Sequence, residues 1–205
     1  MLDPGNLPQD LEQLREQWLA GRRSFQGLEL VDTDFADLNL GGADLRGSCF
    51  RASRFGHGQL NAVNLSGAFL QEALLWGADL SDCIAEASFW QEADLSGARL
   101  QRANFRAAYL HRACLRGVIA PHSCWQEARL IEVDLRSALD QLTDLGHADF
   151  SGADLSFAQL AGAQLQQANF SGACLYQPSL RAADLRGANL SGCYLNDCDL
   201  RDAQL

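Results

Sequence analysis

The feature that most constrains this sequence is a period of five residues, which begins near residue 28 and runs to Leu205. Of the 36 positions numbered in multiples of five from Leu30 to Leu205, 31 are Leu or Phe. The residue two places earlier is Ala, Ser, Thr, Gly or Cys in 30 of them. Clean units read Ala43-Asp44-Leu45-Arg46-Gly47, Ala183-Asp184-Leu185-Arg186-Gly187 and Ala188-Asn189-Leu190-Ser191-Gly192. A spacing of five fits neither the repeat of a helix nor the alternation of a simple strand, so each unit must be a short extended piece followed by a corner. If each corner turns roughly a right angle, four units close a square whose backbone can bond to the next square about 4.8 Å above. The central Leu or Phe then points inward. The small residue two before it also faces in, where a larger side chain would strike the wall. The 36 units make nine such coils.

This A(D/N)LxX pattern resembles the pentapeptide-repeat family from residue 28 to the last residue. The resemblance implies an all-β solenoid, a right-handed quadrilateral β-helix of about nine coils. The expected organisation is an N-terminal capping helix and lead-in over 1–27, followed by the repeat β-helix over 28–205. Within the lead-in, Pro8 to Ala20 sets Leu11, Leu14 and Trp18 on one face at helical spacing, with Pro near the start and Gly21 at the end. It reads as an α-helical cap over the first coil. At the other end the repeat continues to Leu205 without a cap. That apolar coil edge needs water, a partner or a second copy, and weak end-to-end self-association is expected there.

The remaining composition narrows the function. No run approaches the roughly 18 apolar residues of a membrane span, and the N-terminus is not a basic and apolar leader, so a soluble cytoplasmic protein is expected. A formal charge of −10 argues against direct nucleic-acid binding. Lysine is absent, so every side-chain cation apart from histidine is Arg, the better partner for carboxylates and aromatic faces. The seven cysteines include no CxxC pair, no two lie 20 apart, and Cys83, Cys193 and Cys198 replace the small inward residue. His57, His111, His122 and His147 fall outside the inward positions and show no recurring spacing to Ser, Cys or paired acids. The glycines recur at corners, not in a phosphate-cradling loop. These readings give no catalytic residues, no cofactor and no metal, and favour a non-enzymatic protein-binding scaffold.

Five central positions depart from Leu or Phe: Ala85, Trp90, Ala120, Trp125 and Asp140. Twice an Ala precedes a Trp by five residues. Either the Trp fills the volume that the Ala vacates, or it swings out onto a binding face. An unpaired carboxylate at Asp140 would cost of the order of several kcal/mol in the core. Ser137 to Leu142 is therefore expected to bulge and carry Asp140 into solvent. The competing picture is an inward Asp140 bonded to a trapped water in the room left by Ala120. Such a bulge is either a structural irregularity or a recognition loop on a rigid scaffold.

The outward places carry their own pattern. Phe69, Phe89 and Tyr109 lie 20 apart where Asp or Asn is usual, and Leu74, Trp76, Ile84, Ile119, Ile131 and Leu139 are further outward apolar residues. Such residues are either a contiguous patch that marks a protein interface or ordinary variation of the repeat's outward places. Residues 99 to 136 hold seven Arg against three acids, whereas 137 to 180 hold four Asp and no Arg. That segregation reads as a ladder of exposed pairs such as Asp82 with Arg102, or as an Arg and aromatic waist for an acidic protein partner. The candidate protein-binding residues are Phe69, Trp76, Phe89, Tyr109, Arg116, Arg136, Leu139 and Asp140.

Within the family, Ala20-Gly21-Arg22-Arg23-Ser24-Phe25, Leu74 to Leu80, and Asp134-Leu135-Arg136 followed by Thr143-Asp144-Leu145-Gly146 are similar to a cyanobacterial regulator of heterocyst differentiation. The resemblance implies a heterocyst regulatory protein as partner. The alternative, implied by the acidity and by the quinolone-resistance members of the family, is a DNA mimic that binds a type II topoisomerase (gyrase). The Arg-rich segment interrupts the acidic stripe that such a mimic needs.

Overall fold

Each unit bends because it closes a hydrogen-bonded turn. The amide of the small residue donates to the carbonyl of the central residue three places before it, as Ala43 does to Leu40 and Ala78 to Leu75, both at 3.0 Å. Two residues after the centre the chain takes a positive φ, 49° at Asp32 and 62° at Asp202, as the third position of a type II turn requires. The preference for Asp and Asn just before the centre has a local cause. Their side-chain oxygens accept the amide two places on: Ser81 N–H reaches Asp79 Oδ1, and Gly41 N–H reaches Asn39 Oδ1, both at 3.0 Å.

The computed structural model describes residues 6–36 and 38–205. Successive coils are joined by parallel backbone bridges between residues 20 apart, such as Ser24 with Asp44, Asp44 with Asn64 and Asn64 with Ile84, and three further columns repeat the pattern. Among the described residues, only Cys174–Tyr176 (β1) and Tyr194–Asn196 (β2) extend into regular strands, paired in parallel. The result is a repeat β-helix with four columns of inward side chains. Bridging already starts at Ser24, and Phe25 is fully buried, so the wall opens within the lead-in.

The register changes once. Ile119 pairs with Asp144, Cys124 with Asp149, Arg129 with Asp154 and Asp134 with Gln159, a spacing of 25, before 20 resumes at Asp144 with Gln164. One whole unit, centred on Asp140, has left the wall, while the five-residue period in the sequence continues unbroken. The expectation of 36 consecutive wall units from Leu30 is corrected accordingly. Leu145, not Asp140, follows Ala120 in its column, because an aliphatic side chain enters the core without stripping water from a carboxylate.

Both Ala and Trp departures are inward. Trp90 and Trp125 are fully buried, and their indole N–H groups donate to Ser88 Oγ and Ser123 Oγ at 2.6 Å. Those hydroxyls donate in turn to the carbonyls of Ala85 and Ala120. The same Ala-x-x-Ser-x-Trp relay thus occurs twice, and the vacated volume is filled. Phe105, Trp125, Phe150 and Phe170 stack down one column, with centroids 4.5, 6.1 and 5.0 Å apart.

At the N-terminal end a helix, α1 (Leu11–Leu19), buries Leu14 completely and packs Leu11 and Trp18 against the first coil. Asp10 caps it by accepting from Gln13 N–H at 2.8 Å, and Arg23 lies 3.9 Å over the Trp18 ring. At the other end Leu195, Leu200 and Leu205 are 45%, 36% and 76% exposed.

Candidate functional site

The extruded unit is sealed at its base by two hydroxyls. Thr143 Oγ1 accepts from Gly117 N–H at 2.9 Å and donates to the Arg136 carbonyl at 2.9 Å. Thr143 N–H donates to Ser137 Oγ at 3.0 Å, and Ser137 Oγ donates to the Gly162 carbonyl at 2.8 Å. These bonds stand in for the ladder contacts that are lost where five residues leave the wall. Above the seal, Ala138 N–H donates to the Gln141 carbonyl at 2.8 Å, and the Gln141 side-chain amide donates to the Gly117 carbonyl. Leu139 is fully exposed, Asp140 is exposed and Leu142 is half-exposed. The solvent-facing Asp140 expected from the sequence is what the structure places there.

Beside this loop the wall carries a groove of about 690 Å³. Its floor comes from one corner, where Gly77, Gly97 and Gly117 follow each other at intervals of 20 and offer no side chains. One end is closed by His57, whose ring meets Trp76 edge-on at 4.4 Å. The other end is closed by Ala138, Asp140 and Gln141, and Ser96, Cys114 and Arg116 form the flanks. Each end needs its glycine. A Cβ at Gly77 would come 2.6 Å from His57 Nδ1, and one at Gly117 would come 3.1 Å from Ala138 Cβ. Trp76 in turn lies flat over Gly56, where a Cβ would meet its ring at 2.8 Å. Gly97, in the middle, faces open space.

The charges at the groove are unequal in freedom. Arg136 is fixed on Asp134 by two hydrogen bonds of 2.9 and 2.7 Å, whereas Arg116 stands 3.8 Å from the same carboxylate. Burial pushes the Asp134 carboxyl up, but the side-chain and backbone hydrogen bonds from Arg136 and the charges of Arg136 and Arg116 together outweigh it and hold the group below its ordinary range. Arg116 remains 45% exposed and can meet a second carboxylate. The Cys114 thiol is raised by burial, so it stays protonated and is a poor nucleophile.

Of the residues singled out from the sequence, Arg116 and Asp140 line the groove; Trp76 packs against the His57 that closes one end, Leu139 belongs to the loop at the other, and Arg136 lies beside the loop base. Phe69, Phe89 and Tyr109 do not join them. They stack at 5.0 Å intervals on the preceding side of the coil, half-buried, with Arg51 over Phe69 at 5.6 Å and Arg129 over Tyr109 at 5.3 Å. The Arg waist is largely a ladder of pairs: Arg102 with Asp82 at 2.6 Å, Arg106 with Glu127 at 2.9 Å and Arg112 with Glu132 at 2.8 Å. Ile119 and Ile131 are half-buried, not surface residues of a patch. The sequence reading missed His57, Gln141 and the three floor glycines. Their signal was the recurrence of Gly at 77, 97 and 117.

A four-column parallel β-helix whose irregularities converge on a surface groove is a repeat scaffold. Eight copies of the pentapeptide-repeats model match residues 23–55, 59–88, 91–119, 142–177 and 179–205, and the chain belongs to that family. The match lapses between 119 and 142, where the loop leaves the wall. No curated protein matches the sequence. Among solved structures, the chain is similar to HetL, a pentapeptide repeat protein involved in heterocyst differentiation regulation from the cyanobacterium Nostoc sp. strain PCC 7120. The identity is 31% over 96% of this chain and 97% of that chain, with a TM-score of 0.70. QnrB1, a plasmid-mediated fluoroquinolone resistance protein, is 17% identical over 86% and 91% of the two chains, with a TM-score of 0.48. A second pentapeptide repeat protein of Nostoc PCC 7120 is 33% identical over 55% of this chain and 80% of that one, with a TM-score of 0.32.

Proposed function

We propose that this chain is a non-enzymatic protein-binding scaffold, a HetL-like cytoplasmic regulator of cyanobacterial cell differentiation that acts by holding a heterocyst regulatory protein in the glycine-floored groove. The observation that carries this reading is the groove itself, which interrupts an otherwise regular wall between His57, backed by Trp76, and the extruded loop. Trp76 supplies an aromatic anchor at one end, Leu139 and Leu142 supply apolar contacts at the other, and the Arg116 guanidinium lies between them. Three coil steps separate the ends, about 14 Å, a span that roughly four extended residues cover. The partner segment is therefore a short extended peptide with apolar residues at both ends and a carboxylate between. A rigid coil wall orders few groups on binding, which favours affinity in a shallow site. The likeness to HetL over nearly the full length of both chains supports the regulatory assignment.

The test uses Gly97→Gln. Gln167 and Gln177 hold the equivalent turn position on other corners at φ 58° and 53°, so the substitution leaves the fold intact and fills the groove. Affinity capture from a cyanobacterial lysate is expected to retain a protein on the wild type and lose it on Gly97→Gln. A protein retained equally by both would remove the groove from the account. Inhibition of gyrase supercoiling in a parallel assay would transfer the function to a DNA mimic.

A further inference from the structure

His122 and His147 are 25 residues apart in the sequence, five more than the ordinary repeat of the wall, and like Trp125 and Phe150 they lie on either side of the skip. They meet because the Asp140 unit is extruded. Ile119 then pairs with Asp144, and the His122 amide donates to the Gly146 carbonyl at 3.0 Å. The two imidazoles stack with centroids 4.6 Å apart and planes 14° from parallel. Both residues are exposed, and both sit at corners with φ of 58°. The His147 amide is itself fixed on the Gln166 carbonyl at 2.9 Å, so the backbone under each ring is rigid.

We infer that His122 and His147 form a two-histidine site for one divalent transition-metal ion of the kind that prefers imidazole, copper(II) or zinc(II). Imidazole nitrogen binds these ions at about 2.0–2.1 Å, so two nitrogens on one ion lie roughly 3 to 4 Å apart. In the stack the nitrogen lone pairs run side by side, so both exposed rings must turn out of parallel about their side-chain bonds to converge on one ion, over a backbone separation that already brings the rings within 4.6 Å. The surroundings accept added positive charge. Arg102 precedes His122 on the same corner, but its Nε and one terminal nitrogen are both engaged by the Asp82 carboxylate at 2.6 Å, which draws the guanidinium to the opposite coil. Gln167 follows His147 and is neutral, and the chain's net charge of −10 attracts cations. Among the described residues no group of three or more His, Cys, Asp or Glu is poised to hold a metal. The remaining coordination positions are thus open to water or to a donor from a bound molecule.

The experiment titrates copper(II) into the full chain near neutral pH, with binding followed by calorimetry and the ligand set by electron paramagnetic resonance. One ion per chain with two equatorial nitrogens is expected. His122→Gln and His147→Gln are each expected to weaken binding at least about tenfold and to leave one nitrogen, because the second donor of a chelate acts at high effective concentration. Gln at φ 58° in Gln167 shows that this corner carries the replacement. His111→Gln, at a half-buried histidine away from the pair, is expected to change nothing. Copper should also raise the melting temperature of the wild type and not of the two paired variants. A single-nitrogen spectrum in the wild type, or unchanged affinity in His122→Gln or His147→Gln, would overturn the site.

Discussion

Deleting Ala138 to Leu142 joins Ser137 directly to Thr143 and produces Leu135-Arg136-Ser137-Thr143-Asp144-Leu145, a regular unit with Thr143 in the small inward place. Every wall contact seen in the structure is kept, including the bridge of Ile119 with Asp144 and the stack of Trp125 on Phe150. Removing a loop of five residues returns roughly 1.4 kcal/mol of closure entropy. Against this, Ser137 must take the left-handed corner, at about 1 to 2 kcal/mol. The bond from the Gln141 side chain to the Gly117 carbonyl is also lost, at about 0.5 to 1.5 kcal/mol. The terms nearly cancel, so stability should change by less than about 2 kcal/mol and the melting temperature by less than about 8 °C. Thermal unfolding followed by circular dichroism measures this directly. A loss above about 4 kcal/mol, or an aggregated product, would mean that the loop carries the wall and is not an appendage to it. If the groove is the docking site, the same variant binds its partner poorly while remaining folded.

Two further outcomes are expected. Thr143→Val keeps the shape but leaves Gly117 N–H only its longer 3.2 Å bond to the Arg136 carbonyl, and stability should fall by about 1 to 2 kcal/mol. Thr143→Ser should recover most of it, and equal melting of all three proteins would discredit the hydroxyl seal. In acid, Asp184 is held down to about 2 by the hydrogen bond from Arg186, and Asp199 to about 2 by that from Arg201. A depressed carboxyl contributes stability above its ordinary value of 3.8 and loses it as the pH falls through the folded value near 2. The gap in melting temperature between wild type and Asp184→Asn should therefore be open at pH 6, narrow steadily below about pH 4 and close only below the folded value near 2. A gap that stays constant over that range would contradict the assignment.

The sequence by itself determined which way most side chains face. The inward columns, the capping helix with Leu14 at its centre and the solvent exposure of Asp140 follow from local terms, turn chemistry and the desolvation of a carboxylate, whereas the sequence left open whether Trp90 and Trp125 face in or out. Those terms belong to one residue or one unit, so the five-residue period exposes them. The tertiary structure decided who meets whom across coils. Whether Arg102, Arg106 and Arg112 were a free basic waist depended on Asp82, Glu127 and Glu132 lying one coil away in register. Trp76 found its place only over Gly56, against His57. The pairing of His122 with His147 depended on a skip of 25 that the unbroken sequence period conceals. That skip is settled by a competition between whole stackings, in which Leu145 under Ala120 and Phe150 under Trp125 prevail over Asp140 in the wall. Such a choice sums contacts along four columns at once, and no single unit of the sequence contains it.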